Sequence, residues 1–418
     1  MQNTCRDPRM FLRPNRCTLL VIGVTVLSAF AVLPARAQTF TTLYSFKGGT
    51  DGAYSFSTLI RDAAGNLYGT TQAGGNARDG GTVFKIDTTG NETVLRAFTG
   101  YPSDGEYPYA GLAGSPAGNG YGTTFEGGSG CYSYGCGVVY EVDSAGKESV
   151  LYSFSGGSDG GNPQGGSLLD SQDNLYGTTV NGGSGCPFLG CGVVFMVSPA
   201  GQETVLYSFQ GVDGDGAHPT GELLRDAKGN LYGTTTSGGA GYGVVFKVDT
   251  SGNETVLYSF TGGSDGAIPV GGLIQDAAGN LYETTAEGGG DKCDAGYGCG
   301  VIFKLDTAGN ETVLHTFRGI PDGAEPGYGS LIRDEKGNLY GTTMQGGSAY
   351  CDAPNGCGIL FGLNTAGKLA ILHTFTGLSD GAVPQGGLIR DASGNLYGTT
   401  YQGGVPSCDC GVVYKISP

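Results

Sequence analysis

The sequence predicts an all-β fold, a seven-bladed β-propeller, because three different motifs each recur seven times along it. The tyrosine of an N-L-Y-G-T-T core falls at Tyr68, Tyr121, Tyr176, Tyr232, Tyr282, Tyr340 and Tyr397. An L-Y-S-F type ends at Phe46, Phe98, Phe154, Phe209, Phe260, Phe317 and Phe375. A V-F-K type centres on Phe84, Tyr140, Phe195, Phe246, Phe303, Phe361 and Tyr414. The core returns every 50–58 residues. No stretch after the first 37 residues keeps a 3.6-residue apolar period, which removes a helical solenoid.

The fifth repeat shows the expected strands in order. Residues 272–275 form the first and lead into the tight turn D-A-A-G-N at 276–280. Residues 281–285 return as the second, 301–305 make the third, and the turn 306–310 reverses the chain into a fourth at 312–317. Asp, Gly and Asn supply the turn geometry, and Val, Ile, Phe, Tyr and Thr supply the strands. Four antiparallel strands in each of seven units suit a propeller. The chain ends suit one too. Residues 41–46 are a lone fourth strand, and the last repeat stops on a third strand at 411–416. Pairing them closes the ring and removes two open edges. The short D-x-x-G-N turns then share one face, and the variable loops between strands two and three share the other with the crossovers between blades. The variable face is where ligand contact belongs.

Residues 1–37 stand apart from the repeats. Arg6, Arg9, Arg13 and Arg16 precede an apolar run from Cys17 to Leu33, and Ala35-Arg36-Ala37 is a small-x-small cleavage site. This reads as a signal peptide, so residues 38–418 are expected to be one exported propeller domain, periplasmic, extracellular or at the cell surface. Without the leader, 17 Lys and Arg face 37 Asp and Glu, a net charge of −20. That charge disfavours nucleic acid and anionic membranes as partners and favours solubility or attraction of cations. No later stretch is apolar enough to span a bilayer, and a monomer is expected. Glycine numbers 82 of 418 residues, but a strict period with aromatic and β-branched residues locked into it argues against disorder.

The D-A-A-G-N-L-Y-G-T-T core, followed at 243–260 by G-V-V-F-K-V-D-T-S-G-N-E-T-V-L-Y-S-F, resembles the GloVer-type tandem repeat of exported bacterial proteins, which are described by their varied cell-surface anchors. The resemblance covers residues 39–418. It implies a bacterial exported propeller and brings no substrate or catalytic residue. The chain stops at Pro418 directly after the last strand, which departs from the anchored pattern and puts surface attachment in question. The D-x-x-G-N-L-Y piece also looks like NHL and gluconolactonase-like propellers.

Ten cysteines follow the leader as five close pairs: Cys131/Cys136, Cys186/Cys191, Cys293/Cys299, Cys351/Cys357 and Cys408/Cys410. All lie between strands two and three, and in an exported chain they read as local disulfides that pin their loops, with Cys408/Cys410 the most strained. Each short loop so closed gains about 2 kcal/mol on chain-entropy reasoning. A zinc site would need four converging ligands, whereas these pairs sit in separate blades without a partnering histidine. No metal or other cofactor is expected, calcium being the one candidate.

Seven aspartates, Asp51, Asp104, Asp159, Asp215, Asp265, Asp322 and Asp380, hold one equivalent place in every crossover. They read as Asx-type turn caps, or alternatively as a carboxylate ring around one channel mouth that draws cations or calcium-bridged glycans. Asp213-Gly-Asp215-Gly resembles the start of a calcium loop, but Ala217 and Leu224 stand where further ligands belong. Departures from the repeat supply the weak catalytic candidates: Glu283 replaces a core glycine, Glu287 follows it, and His218 and Glu222 mark the fourth crossover. Glu325 departs in the sixth. His315 and His373 replace the tyrosine of L-Y-S-F and read as packing variants, as most of the 24 tyrosines do. No G-x-S-x-G, H-E-x-x-H or phosphate loop occurs. The expected function is a non-catalytic binding or scaffold module that recognises a glycan or protein on its loop-rich face. The alternatives are an enzyme acting on a polysaccharide or lactone and a purely structural envelope protein.

Overall fold

The computed structural model describes residues 38–418 except 115–117, 132–133, 213, 291–292, 294–295, 350 and 352–354. The expected leader lies outside them. Seven antiparallel blades follow one another around a ring, and their strands run from the axis outward in chain order. In blade five the order is Ile274–Gln275, Leu281–Glu287, Val301–Leu305 and Glu311–Thr316. The ring closes as the chain ends require: Thr39–Ser45 pairs antiparallel with Val412–Ser417 and becomes the outer strand of blade seven.

The inner strand differs from expectation. Ala267–Pro269 and Ile274–Gln275 both pair with Leu281–Glu287, so one strand is split into two short pieces. Between them the chain leaves the ladder, because neighbouring inner strands crowd together at the axis. Glycine makes that approach feasible: a Cβ on Gly165 would stand 2.5 Å from the carbonyl oxygen of Gly221 in the next blade.

Blades adhere through a repeated aromatic pair. The phenylalanine of L-Y-S-F in one blade meets the V-F-K aromatic of the next edge to face at every interface, from Phe46 with Phe84 at 5.1 Å to Phe375 with Tyr414 at 5.3 Å. All fourteen rings are buried.

The cysteines pair as the spacing suggests: Cys131 with Cys136, Cys186 with Cys191, Cys293 with Cys299, Cys351 with Cys357 and Cys408 with Cys410. Their part differs from the expected pinning of surface loops alone. The second cysteine of each pair, Cys136, Cys191, Cys299, Cys357 and Cys410, is buried in the apolar layer between blades. Cys299 packs in one cluster with Phe317, and Cys357 in another with Phe375. The cause is local hydrogen bonding. The glycine after each of these cysteines accepts the N–H of the L-Y-S-F phenylalanine, as Gly300 does from Phe317 and Gly358 from Phe375. That bond draws the cysteine down onto the ring.

A backbone latch reaches the same residues from the next blade. The residue three places after each crossover aspartate takes a positive φ and donates its N–H to the preceding blade's loop. In five interfaces the accepting carbonyl belongs to the second cysteine. Tyr54 donates to Cys410, Asn162 to Cys136, His218 to Cys191, Glu325 to Cys299 and Val383 to Cys357. Each disulfide therefore fixes the group that the next blade holds.

The D-x-x-G-N turns explain their own sequence. The Asp276 carboxylate accepts the N–H groups of Ala278 and Asn280, the Asn280 side-chain amide and the Tyr282 hydroxyl. Burial pushes that carboxyl up, but these hydrogen bonds outweigh it and hold the pKa down at about 2. The core tyrosine is thus the second anchor of its own turn.

Candidate functional site

The crossover aspartates are held at the perimeter. Asp265 accepts from the Thr261 N–H and hydroxyl, the Gly263 N–H and the hydroxyl of Tyr258 on the outer strand of blade four. Asp51 and Asp159 bind Tyr44 and Tyr152 in the same way, and Asp215 binds Tyr207 and the Gln210 N–H. Asp104 takes Arg96, and Asp322 and Asp380 take His315 and His373. Their carboxylates therefore cap their own loops between adjacent outer strands, across the blade from the channel. Asp213 falls outside the described residues. Among the described residues no group of three His, Cys, Asp or Glu side chains is placed to hold a metal ion.

A second acid joins five of these caps, from the outer strand of the following blade. Glu92, Glu148, Glu203, Glu254 and Glu311 each bury an Oε1 without a hydrogen-bond partner. Burial, then the neighbouring aspartate, raises Glu92, Glu203, Glu254 and Glu311 to about 7 and Glu148 to about 8. At the two remaining interfaces Leu369 and Phe40 occupy the glutamate's register, and there the tyrosine becomes His315 and His373. Phe40 stacks on His373 at 3.9 Å. These histidines thus pair with an aspartate as well as packing.

The four weak catalytic candidates do not form one cluster. Glu222 lines the central channel. Glu283 is 1% exposed, and neither carboxylate oxygen has a hydrogen-bond partner. It lies behind the channel wall, its Oε1 3.5 Å from where Gly271 would carry a Cβ. Burial raises its pKa well above the carboxylate range. Glu287 pairs through its backbone with Ala267 in the split inner strand. His218 turns sideways, its Nδ1 2.9 Å from the Val180 carbonyl of blade three.

On the loop side the channel holds a cavity of about 280 Å³, which shares Leu59, Ile60, Leu112 and Ile389 with a cavity of about 1200 Å³ on the side of the short turns. Its waist is one equivalent position per blade: Thr58, Gly111, Gly166, Glu222, Gly272, Ser330 and Gly387. Adjacency is direct, since the Gly387 N–H donates to the Thr58 hydroxyl at 3.1 Å and a Cβ on Gly166 would meet Glu222 Cγ at 3.0 Å. Two residues earlier in each crossover the chain stands higher, at the loop-rich mouth, and there Phe56, Tyr109 and Tyr328 line the cavity. Phe56 is the centre of the group: Tyr401 lies 4.8 Å from it, Tyr109 5.1 Å and Tyr328 6.3 Å between ring centroids. Tyr54 packs on Tyr401 and Phe125 on Tyr109, so aromatic rings cover an arc of the mouth on blades six, seven, one and two. Gln164, Thr220 and Glu222 face them across the cavity. Ser167 and Thr220 are also among the lining residues, but their hydroxyl oxygens are buried, without a hydrogen-bond partner.

The aromatic arc escaped the reading of the sequence, which assigned most tyrosines to packing positions. The signal was there in the position two before the waist, which reads Phe56, Tyr109, Gln164, Thr220, Val270, Tyr328 and Gln385 around the ring. Three aromatics at a position with no strand role mark it.

The fold has relatives among solved structures. The extracellular domain of a protein described as a hybrid two-component system of B. thetaiotaomicron superimposes with a TM-score of 0.56 at 12% identity, covering 90% of this chain and 39% of that one. The chain thus spans well under half of that relative. A fungal alcohol oxidase of the AA5 family, solved in complex with copper, gives a TM-score of 0.53 at 16% identity over 91% of this chain and 76% of the oxidase. Likeness at such identity extends to the fold alone. No curated protein sequence matches the chain. The Gloeobacter/Verrucomicrobia repeat, however, matches residues 28–134, 103–297 and 292–418, and this chain belongs to that family.

Proposed function

We propose that this protein is an exported binding propeller that holds a carbohydrate at the aromatic mouth of its channel. The arc around Phe56, Tyr109 and Tyr328 carries the reading. Sugar rings have apolar C–H faces and polar edges. A stacked aromatic wall opposite the polar side chains of Gln164 and Glu222 offers a partner to each. The five disulfides and the extracellular relative support an exported location. Binding is favoured over turnover by the placing of the acids. Glu222 faces the cavity, whereas Glu283 is sealed behind Gly271, so the two do not flank one open position as glycoside hydrolysis requires.

The test is a glycan array on the purified chain, followed by titration calorimetry with the oligosaccharide that binds. Tyr109→Ala and Tyr328→Ala are expected to weaken binding about tenfold each, the loss of one stacking contact. Both should stay folded, since neither ring belongs to the buried aromatic pairs that join the blades. Melting curves check this, because the Tyr109 hydroxyl also accepts from the Gln72 amide of blade one. A protein ligand retained by both variants would overturn the proposal.

A further inference from the structure

The channel waist bears on which sugar the mouth takes, an inference that rests on the carbohydrate reading above. Six of its seven positions are Thr, Ser or Gly, and the seventh is Glu222. The carboxyl reaches over Gly166, where a Cβ would stand 3.0–3.2 Å from Glu222 Cβ, Cγ and Cδ. Among the described residues no Lys, Arg or His lines the cavity. The other groups that face Glu222 are neutral: Ser330 and Gly272 beside it, Gly166 below it, and Tyr109, Tyr328 and Phe56 across the cavity. Glu283, on the far side of Gly271, is buried without a counter-charge and favours its neutral form.

A carboxyl in such a place has no protein cation to balance it. Burial raises Glu222 to about 7, and a hydrogen bond from Ser330 is the only opposing influence. A ligand that brought a positive charge would restore the ionised form. It would also meet the negative faces of the aromatic rings, which attract ammonium groups. The charge of −20 on residues 38–418 draws such ligands to the protein. The ring hydroxyls of a sugar can also bond the Gln164 amide that lines the cavity, which the apolar stem of a lysine cannot. A cavity of about 280 Å³ suits one sugar ring rather than a chain.

We propose that the waist selects an amino sugar with a free ammonium group, Glu222 supplying its counter-charge and Phe56, Tyr109 and Tyr328 its stacking surface.

Titration calorimetry with three oligosaccharides of equal length tests this on residues 38–418: glucosamine units, N-acetylglucosamine units and glucose units. The glucosamine oligomer should bind about tenfold tighter than the other two, and Glu222→Gln should abolish the difference. Gly166→Ala, which crowds the carboxyl, should narrow it in the same direction. Melting curves establish that each variant is folded. Should the acetylated or neutral oligomer bind as tightly as the amine, the cationic preference is wrong while the carbohydrate reading stands. A preference that survives Glu222→Gln would mean attraction to the general negative charge, and it too would overturn the assignment. Heat of binding from calcium alone, lost in Glu222→Gln, would replace the amino sugar by a metal ion. If no oligosaccharide binds, both readings fail.

Discussion

A single aspartate shows how local this architecture is. Asp265 collects two N–H groups and two hydroxyls within seven residues of itself, and burial is outweighed by those hydrogen bonds, so its carboxyl sits below the usual range. Replacing it with Ala leaves those donors without an acceptor and should cost about 0.5–2 kcal/mol, by analogy with lost helix caps. Asn keeps the acceptor oxygen and should cost less. Thermal melts of the two variants decide it, and an Asn variant as damaging as the Ala one would show that charge rather than shape matters. Such turns were legible in the sequence because Asp276, Gly279 and Asn280 meet within one turn. Tyr109 and Tyr328 were not, since 219 residues separate them and only ring closure puts both beside Phe56. The cysteine pairs were half legible. Their spacing gave the partners, but that Cys299 and Cys357 serve the next blade depends on Glu325 and Val383, which lie beyond the loops they latch.

At the scale of the strand, the sequence read well wherever period and hydrogen bonding coincide. The third strand of blade five was placed at 301–305 and lies there. The inner strand was placed at 272–275, but only Ile274–Gln275 pairs there. A second piece, Ala267–Pro269, forms in what was read as the crossover, because crowding at the axis is a constraint no window of one blade contains. Outer strands carry the pH dependence. Glu92, Glu203, Glu254 and Glu311 hold their protons to about 7 and Glu148 to about 8, against an ordinary 4.5. The folded state therefore binds these protons more tightly than the unfolded chain does. Their stabilising contribution is complete below about pH 4.5 and disappears as pH rises through about 7 to 8. The turn aspartates have the opposite sign, with Asp276 at about 2, and their contribution is lost as pH falls below about 4. Melting temperature should thus peak near pH 4–5 and decline towards pH 8, a slope that Glu→Gln at the five outer strands should flatten. A melting temperature that climbs between pH 5 and 8 would contradict the assignment of those protons.

The whole molecule is a stack in which each blade touches its two neighbours, so stability accumulates from seven similar interfaces while function can reside in the few positions that break the repeat. Those positions converge at the axis: Glu222 at the waist, and Phe56, Tyr109 and Tyr328 at the mouth. The family assignment and the closed ring follow from what repeats, and the proposed ligand follows from what does not. One measurement separates these most directly, a crystal structure of residues 38–418 soaked with the glucosamine oligomer. The account predicts a sugar ring stacked within about 4 Å of Phe56, Tyr109 or Tyr328, with its amine against Glu222. A sugar bound on the short-turn face, or among the perimeter aspartates, would contradict it.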